Sequence, residues 1–117
     1  MKKPTKKTLR NKLDRLFSLV VRGRGKCEKC GSKHELQTAH IFSRTYNSTR
    51  WDLDNALCLC VSCHFFFHKN PILFGEFVKE FLPENLYEVL KEKRNFISKY
   101  TIEDLQIKLK VLQELLD

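Results

Sequence analysis

The chain contains 117 residues, of which 42% are hydrophobic and 31% charged, values typical of one soluble globular domain rather than a disordered chain. No apolar stretch approaches the ~20 residues that span a membrane, and the basic start lacks the apolar segment of a secretory signal. A cytoplasmic protein is therefore expected. In a reducing compartment, its five cysteines favour metal binding over disulfides.

The positive charge is concentrated at the amino end. The net charge is +8, but residues 1–26 alone carry ten basic side chains and one acidic one, whereas the rest of the chain is nearly neutral. Two interpretations stay open: a solubilising tail, or an arm that binds nucleic-acid phosphates. On the second interpretation, the candidate DNA-binding residues of this arm are Lys6, Lys7, Arg10, Arg22 and Arg24.

Hydrophobic periodicity predicts a small α+β fold in which helices flank two short strands. Apolar residues recur at helical spacing from Leu9 to Val20, and Gly23 and Gly25 end this first helix. The further predicted elements are a strand at 36–42, a loop at 46–50, a strand at 55–59, and helices at 63–68, 74–81, 86–93 and 102–116.

The last predicted helix begins with a capping box of Thr101 and Asp104. Its apolar stripe could pack against the rest of the chain or form a dimer, and both alternatives stay open. The elements divide the chain into a basic helical arm at 1–25, a central core at 26–70 and a helical region at 71–117, which together form one compact domain.

Two C-x-x-C pairs, separated by 29 residues, predict a structural metal site. Each pair places two sulfurs on one side of a tight turn, and two such turns complete the tetrahedral four-thiolate geometry of structural zinc. The fifth cysteine, Cys58, is expected to be a buried free thiol, although it could compete as a ligand. The four expected zinc ligands are Cys27, Cys30, Cys60 and Cys63.

A second group of residues predicts catalytic chemistry: His40, Asn55, His64 and His68, at intervals of fifteen, nine and four residues. His64 and His68 lie four residues apart on a predicted helix, so they face one way and can bind one metal ion. His64 directly follows a zinc ligand, so the zinc site would fix where this helix begins.

These motifs resemble the HNH, or ββα-metal, nuclease family. The resemblance covers residues 27–68, and its motifs are specific for the fold and the chemistry rather than for the substrate. The stretch 36–44 is similar to phage recombination proteins of the NinG type. The paired C-x-x-C motifs are similar to phage endonuclease VII, and the histidine spacing to the colicin DNases. The residues that carry the resemblance are Ala39-His40-Ile41, Trp51 to Asn55 and Leu59 to His64.

The resemblance implies a metal-dependent DNA endonuclease with a ββα-metal core. His40 would be the general base that deprotonates water, and Asn55 would orient either the following loop or the imidazole. His64 would bind a catalytic Mg²⁺ or Mn²⁺, with His68 as a second ligand that not every family member uses. The implied products carry 5′-phosphate and 3′-hydroxyl groups. DNA, including branched or phage DNA, is the expected partner, and a homodimer is compatible with this function.

Ala39 departs from the family pattern, because many members carry Asp, Glu or His as a metal ligand just before the base. Three alternatives follow. The metal site is weak and completed by water and substrate, Asp52 or Asp54 reaches the ion, or the protein is catalytically inactive.

Other residues near the motifs have less specific expectations. Arg44 and Arg50 are expected to clamp phosphate near the active-site loop. Trp51 is expected to pack beside the zinc site, and His34 to be exposed. Most of the run Phe65-Phe66-Phe67 is expected to pack in the core rather than to stack on bases.

The leading function is thus a phage-related nuclease of DNA recombination or processing. The alternative from another class is a non-catalytic zinc-dependent DNA-binding module, and within enzymes the alternative is a restriction-type HNH nuclease. His40 and Asn55 favour a nuclease, because a binding module needs neither residue.

Overall fold

The structure is a computed structural model that describes residues 3–96 and 98–117, so Met1, Lys2 and Ile97 lie outside the described residues. The described residues form helices around a two-stranded antiparallel sheet. None of the helices in this part of the chain is both long and apolar enough to cross a membrane. The elements are α1 (Lys6–Arg22), β1 (Leu36–His40), α2 (Asn47–Arg50), a 3₁₀ turn (Leu53–Asn55), β2 (Ala56–Cys60), α3 (Val61–Lys69), α4 (Pro71–Phe81), α5 (Leu86–Lys93) and α6 (Ile102–Leu116).

The first and last helices pack against each other, and each begins with a capping box. Thr5 accepts a hydrogen bond from the backbone N–H of Thr8 at 3.2 Å. In α6, Thr101 accepts from the N–H of Asp104 at 3.1 Å, and Asp104 accepts from the N–H of Thr101 at 2.9 Å. The predicted capping box of α6 is therefore confirmed. The residues buried between the two helices are Leu9, Leu13, Phe17, Val21, Leu105 and Leu112.

Strand β2 is buried along its whole length and separates two hydrophobic cores. It pairs with β1 in a register that places Thr38 opposite Cys58 and His40 opposite Ala56. Since side chains alternate along a strand, its even-numbered residues 56 and 58 face the first core and residues 57 and 59 face the second. The first core contains Leu9, Leu13, Phe17, Val21, Trp51, Ala56, Cys58, Leu105 and Leu112. The second contains Cys27, Ala39, Leu57, Leu59, Cys60, Cys63, Phe67 and Val78.

The predicted α+β element order is confirmed, with small differences at the boundaries. Strand β1 ends two residues earlier than expected, and α3 begins two residues earlier. The loop predicted at 46–50 is wrong, because it contains the short helix α2, in which Thr49 is fully buried. The apolar stripe of α6 packs internally through Leu105 and Leu112.

Candidate functional site

The four cysteines of the two C-x-x-C pairs come together in one cluster, called here the cysteine cluster (Cys27, Cys30, Cys60 and Cys63). Their Sγ atoms all lie within 4.8 Å of one another, and those of Cys30 and Cys60 are 3.7 Å apart. Tetrahedral zinc with bonds of ~2.3 Å requires its sulfurs to be about 3.8 Å apart. The cluster could therefore hold a metal ion, and the four-thiolate donor set fits structural zinc.

Two backbone features shape the cysteine cluster. Gly31 has a φ of +82°, which glycine adopts without strain, and its N–H donates to the carbonyl of Cys27 at 2.9 Å. Burial acts to raise the pKa of Cys27, but hydrogen bonds from the backbone of Cys30, Cys60 and Lys29 outweigh it and lower the pKa to about 6. These bonds favour the thiolate of Cys27, which is the form that binds metal, whereas burial and hydrogen bonds with the other three cysteines raise the pKa of Cys63.

The fifth cysteine lies outside this cluster. Cys58 is fully buried in the first core, and its burial raises the pKa of its thiol. The prediction of a buried free thiol is therefore confirmed.

Three histidines line one cavity of about 210 Å³, called here the histidine cavity. His40 is the last residue of β1, whereas His64 and His68 lie one turn apart on α3, and His64 directly follows the second C-x-x-C pair. A larger cavity of about 610 Å³ lies between α6 and residues 47–54, and its lining includes no histidine. The remaining residues that line the histidine cavity are Ala39, Phe67, Pro71 and Phe74.

His40 has the environment of a neutral imidazole. Its ring stacks on Phe17 of α1, with centroids 5.3 Å apart and planes 26° apart. Burial lowers the pKa of His40, and this effect outweighs a hydrogen bond to the backbone of Arg50 that raises it. The Nε2 atom is buried and has no hydrogen-bond partner among the described residues. The neutral form of the imidazole that this environment favours is the form that can accept a proton.

His64 is oriented by a neighbour that the sequence analysis missed. Its Nδ1 lies 2.7 Å from Oε1 of Gln37 in β1. In the neutral ring, Nδ1–H donates to this oxygen, which leaves the Nε2 lone pair for a metal. Burial, followed by the proximity of His68, lowers the pKa of His64 and favours this neutral form.

Within residues 3–96 and 98–117, no third histidine, cysteine, aspartate or glutamate joins the two histidines of α3 in a cluster of potential metal ligands. The cysteine cluster is the one group of three or more such residues in this part of the chain. Asp52 instead accepts a hydrogen bond from Lys93 at 2.6 Å, and Asp54 is exposed. Both carboxylates line the 610 Å³ cavity, so the structure does not favour their predicted alternative role as metal ligands.

Asn55 is fully buried and binds the loop that follows His40. Its Oδ1 accepts from the N–H of Phe42 at 2.8 Å, and its Nδ2 donates to the carbonyls of Phe42 at 3.0 Å and Thr49 at 3.1 Å. Of the two roles expected for Asn55, this geometry fits the one that orients the loop rather than the imidazole.

The second residue missed by the sequence analysis is Asp14, the only acid among the first 26 residues. Arg50 donates to its two carboxylate oxygens at 3.1 and 2.6 Å, and Trp51 Nε1 donates at 2.9 Å. The guanidinium of Arg50 is thus occupied within the protein, which argues against its predicted role as a phosphate clamp. Arg44 approaches Asp14 only to 4.0 Å, and its side chain is 62% exposed.

Arg24 likewise has internal partners. It donates to the carbonyls of Ala56 and Leu53 at 2.8 Å and to Glu28 at 2.8 Å, so its position argues against the predicted DNA contact. The other basic candidates differ, because none of them lies within 4.0 Å of a carboxylate in the described residues. These candidates are Lys6, Lys7, Arg10 and Arg22.

Two expectations for aromatic residues are wrong. Trp51 packs in the first core, with its ring centroid 6.0 Å from that of Tyr100, rather than beside the cysteine cluster. Of the phenylalanine run, Phe67 is buried, but Phe65 is 60% and Phe66 44% exposed, because consecutive residues of α3 point to different sides. The prediction that His34 is exposed is confirmed.

One comparison with known proteins, that with family models, bears on this site. No curated protein and no solved structure matches the chain. The family model of the HNH endonucleases matches residues 27–75, which include the cysteine cluster and the three histidines of the cavity. This match supports the HNH endonuclease family for the central part of the chain.

Proposed function

We propose that the protein is a metal-dependent HNH endonuclease that hydrolyses phosphodiester bonds in DNA. The observation that carries this proposal is the histidine cavity, in which His40, His64 and His68 meet within the segment that the family model matches. A non-catalytic DNA-binding module needs neither an unpartnered buried imidazole nitrogen nor a histidine pair beside it. We therefore favour the nuclease over that alternative.

The two metal sites have different proposed roles. Four thiolates close the coordination of zinc and leave no open position, so the cysteine cluster is proposed to be structural. His64 and His68 would bind a catalytic Mg²⁺ or Mn²⁺ and leave most of its coordination open to water and phosphate. When bound, that ion stabilises negative charge on the scissile phosphate.

In the proposed reaction, the imidazole of His40 accepts a proton from water while the water oxygen forms a bond to phosphorus. The bond from phosphorus to the 3′ oxygen breaks, and this oxygen takes a proton from solvent. The products carry 5′-phosphate and 3′-hydroxyl ends. Asn55 contributes by fixing the loop after His40, and Gln37 by orienting His64.

Replacement of the base tests this proposal. His40→Ala should slow plasmid cleavage in Mg²⁺ or Mn²⁺ by about 10²- to 10⁴-fold while DNA affinity stays nearly unchanged. His34→Ala is the matched control, because His34 is exposed and lies outside the cavity. Wild-type rates in His40→Ala would refute the assignment of the base. Wild-type protein that binds plasmid, single-stranded and branched DNA but cuts none of them would favour the binding module.

The exposed lysines at the start of α1, together with Lys3 just before it, are proposed to contact DNA phosphates. Thr5 and Thr8 cap this helix, so glutamine at positions 3, 6 and 7 removes charge without removing the cap. The slope of log affinity against log salt should decrease by about 0.9 for each lost contact. Lys91→Gln on α5 is the control. An unchanged slope would show that these lysines only solubilise the protein.

A homodimer is proposed through the outer face of α6, where Ile107, Val111 and Leu115 are exposed. In an antiparallel pair centred on Val111, Lys108 of one copy would lie opposite Glu114 of the other. Val111→Glu should convert such a dimer to a monomer in sedimentation measurements, and a monomeric wild type would exclude the dimer. A phage-related role in recombination, a restriction-type role and a cytoplasmic location stay predictions.

A further inference from the structure

The exposed phenylalanines of α3 lie on the same helix as the proposed metal ligands. Phe65 follows His64 directly and precedes His68 by three residues, and its side chain is 60% exposed. An exposed phenylalanine forgoes the stabilisation that burial would provide. A single exposed apolar residue is ordinary, so the surroundings of Phe65 decide whether it has a function.

The first relevant feature is a second cavity. Its volume is about 220 Å³, and it is lined by Gln37, Val61, His64, Phe65 and His68. It shares His64 and His68 with the histidine cavity, so the two cavities border the same histidine pair. A nucleotide whose phosphate lies at His64 and His68 would therefore have the ring of Phe65 next to it.

The second feature is the charge around the rings. The Nζ atom of Lys69 lies 4.7 Å from the ring centroid of Phe65, and that of Lys29 lies 5.6 Å from the centroid of Phe66. Aromatic faces interleaved with cations are complementary to single-stranded nucleic acid, because bases stack on the rings while phosphates meet the lysines. A buried protein partner would instead have to desolvate both ammonium groups.

We propose that Phe65 is a stacking site for an unpaired nucleobase of DNA beside the scissile phosphate. This inference rests on the proposed nuclease function, since the phosphate is placed at His64 and His68. A base within a duplex is already stacked and cannot reach the ring without leaving its pair. The nuclease should therefore prefer strands with an unpaired nucleotide next to the cut, such as single strands, bulges and branch points.

Binding measurements without added Mg²⁺ or Mn²⁺ test the stacking without requiring cleavage, and no chelator is used because it would remove zinc. The zinc-loaded full-length protein is titrated into a single-stranded oligonucleotide that contains 2-aminopurine, and into its duplex. Phe65→Ala should weaken single-strand binding by about 5- to 150-fold, the range expected for one stacked base, and leave duplex binding unchanged. Phe65→Trp should restore single-strand binding. Phe96→Ala, which removes a phenylalanine that is 67% exposed in the turn after α5, should change neither affinity.

The outcomes separate the stacking site from the nuclease. Equal affinities of wild type and Phe65→Ala for the single strand would overturn the stacking site, even if the protein cuts DNA. An equal loss on single strand and duplex would also overturn it, as would a change in self-association of Phe65→Ala without DNA. Selective loss on the single strand by a protein that cuts no DNA would support the stacking site while refuting the nuclease. Retained zinc and an unchanged circular dichroism spectrum establish that Phe65→Ala is folded.

Discussion

The two cores on either side of β2 are built from different side chains. The first core joins α1 and α6 through large apolar residues such as Leu13, Phe17 and Leu105. Of the buried residues in the second core, only four are large and apolar, and the other four are cysteines or Ala39. Partly buried apolar residues such as Phe74 and Phe77 pack against this core, and a metal bound by the cysteine cluster would add further stabilisation. Hydrophobic burial alone stabilises the helix pair, whereas a metal bound by the cysteine cluster would also stabilise the region that bears the histidines.

The largest expected effect follows from breaking the cysteine cluster. Cys27→Ser should release zinc and unfold the central region, because structural zinc contributes ~10–16 kcal/mol of apparent binding free energy, comparable to the stability of a whole domain. Zinc analysis and circular dichroism measure the two effects. Cys58→Ser is a control, since Cys58 lies outside the cluster and should leave zinc bound. A well-folded wild type without zinc would refute the structural site.

A cavity in the first core should have a smaller and different effect. Leu13 is fully buried between α1 and α6, and Leu13→Ala should lower the free energy of unfolding by about 2–5 kcal/mol. Because the cysteine cluster is untouched, the folded variant should still bind one zinc per chain. Urea denaturation and metal analysis of the same sample measure both quantities. Loss of zinc from the folded variant would show that the metal site depends on the first core, so that the two cores are not stabilised separately.

The same contrast explains what the sequence could predict. Spacing alone located the cysteines and the histidines, because metal ligands leave a pattern that depends on local turns and helix periodicity. Spacing could not identify Asp14, Gln37 or Phe17 as residues that lie near the histidine cavity or support the segments around it. These residues reach it through tertiary packing, and no local pattern separates Asp14 from an ordinary surface acid. For the same reason, the internal partners of Arg24 and Arg50 were not foreseen.

Asp14 joins α1 to the segment around α2, since it lies on α1 and binds Arg50 and Trp51. Burial acts to raise its pKa, but hydrogen bonds from Arg50 and Trp51 outweigh burial and hold the pKa below the usual 3.8. Asp14→Asn should therefore lower stability at pH 7 by about 1–3 kcal/mol, between the values for surface and buried ion pairs.

The pH dependence of this effect has a defined sign. A carboxylate whose pKa is lowered on folding contributes stability above its unfolded pKa and loses it as the pH falls through the folded value. The difference between wild type and Asp14→Asn should be constant from pH 7 to pH 5 and shrink below pH 4. Urea unfolding of both proteins measures this difference at the pH values where metal analysis still finds zinc bound to both. A difference that stays undiminished at the lowest of these pH values below 4 would refute the ion pair as its source.

The smallest expected effect concerns Ala39, at the boundary between the second core and the histidine cavity. Ala39 is almost fully buried and lines that cavity together with His64 and His68. Two neutral imidazoles leave the charge of a divalent ion uncompensated, and Mg²⁺ prefers oxygen ligands. Ala39→Asp should therefore lower the Mg²⁺ concentration for half-maximal cleavage, whereas Ala39→Asn, of similar size but uncharged, should lower it less. The negative charge should also raise the pKa of His40, which moves the acidic limb of the pH–rate profile to higher pH.

Cleavage rates measured against Mg²⁺ concentration, at fixed pH and ionic strength, test whether the half-maximal Mg²⁺ concentration falls. If the half-maximal concentration does not fall in a folded, zinc-loaded Ala39→Asp protein, residue 39 does not face the metal and another group completes the site.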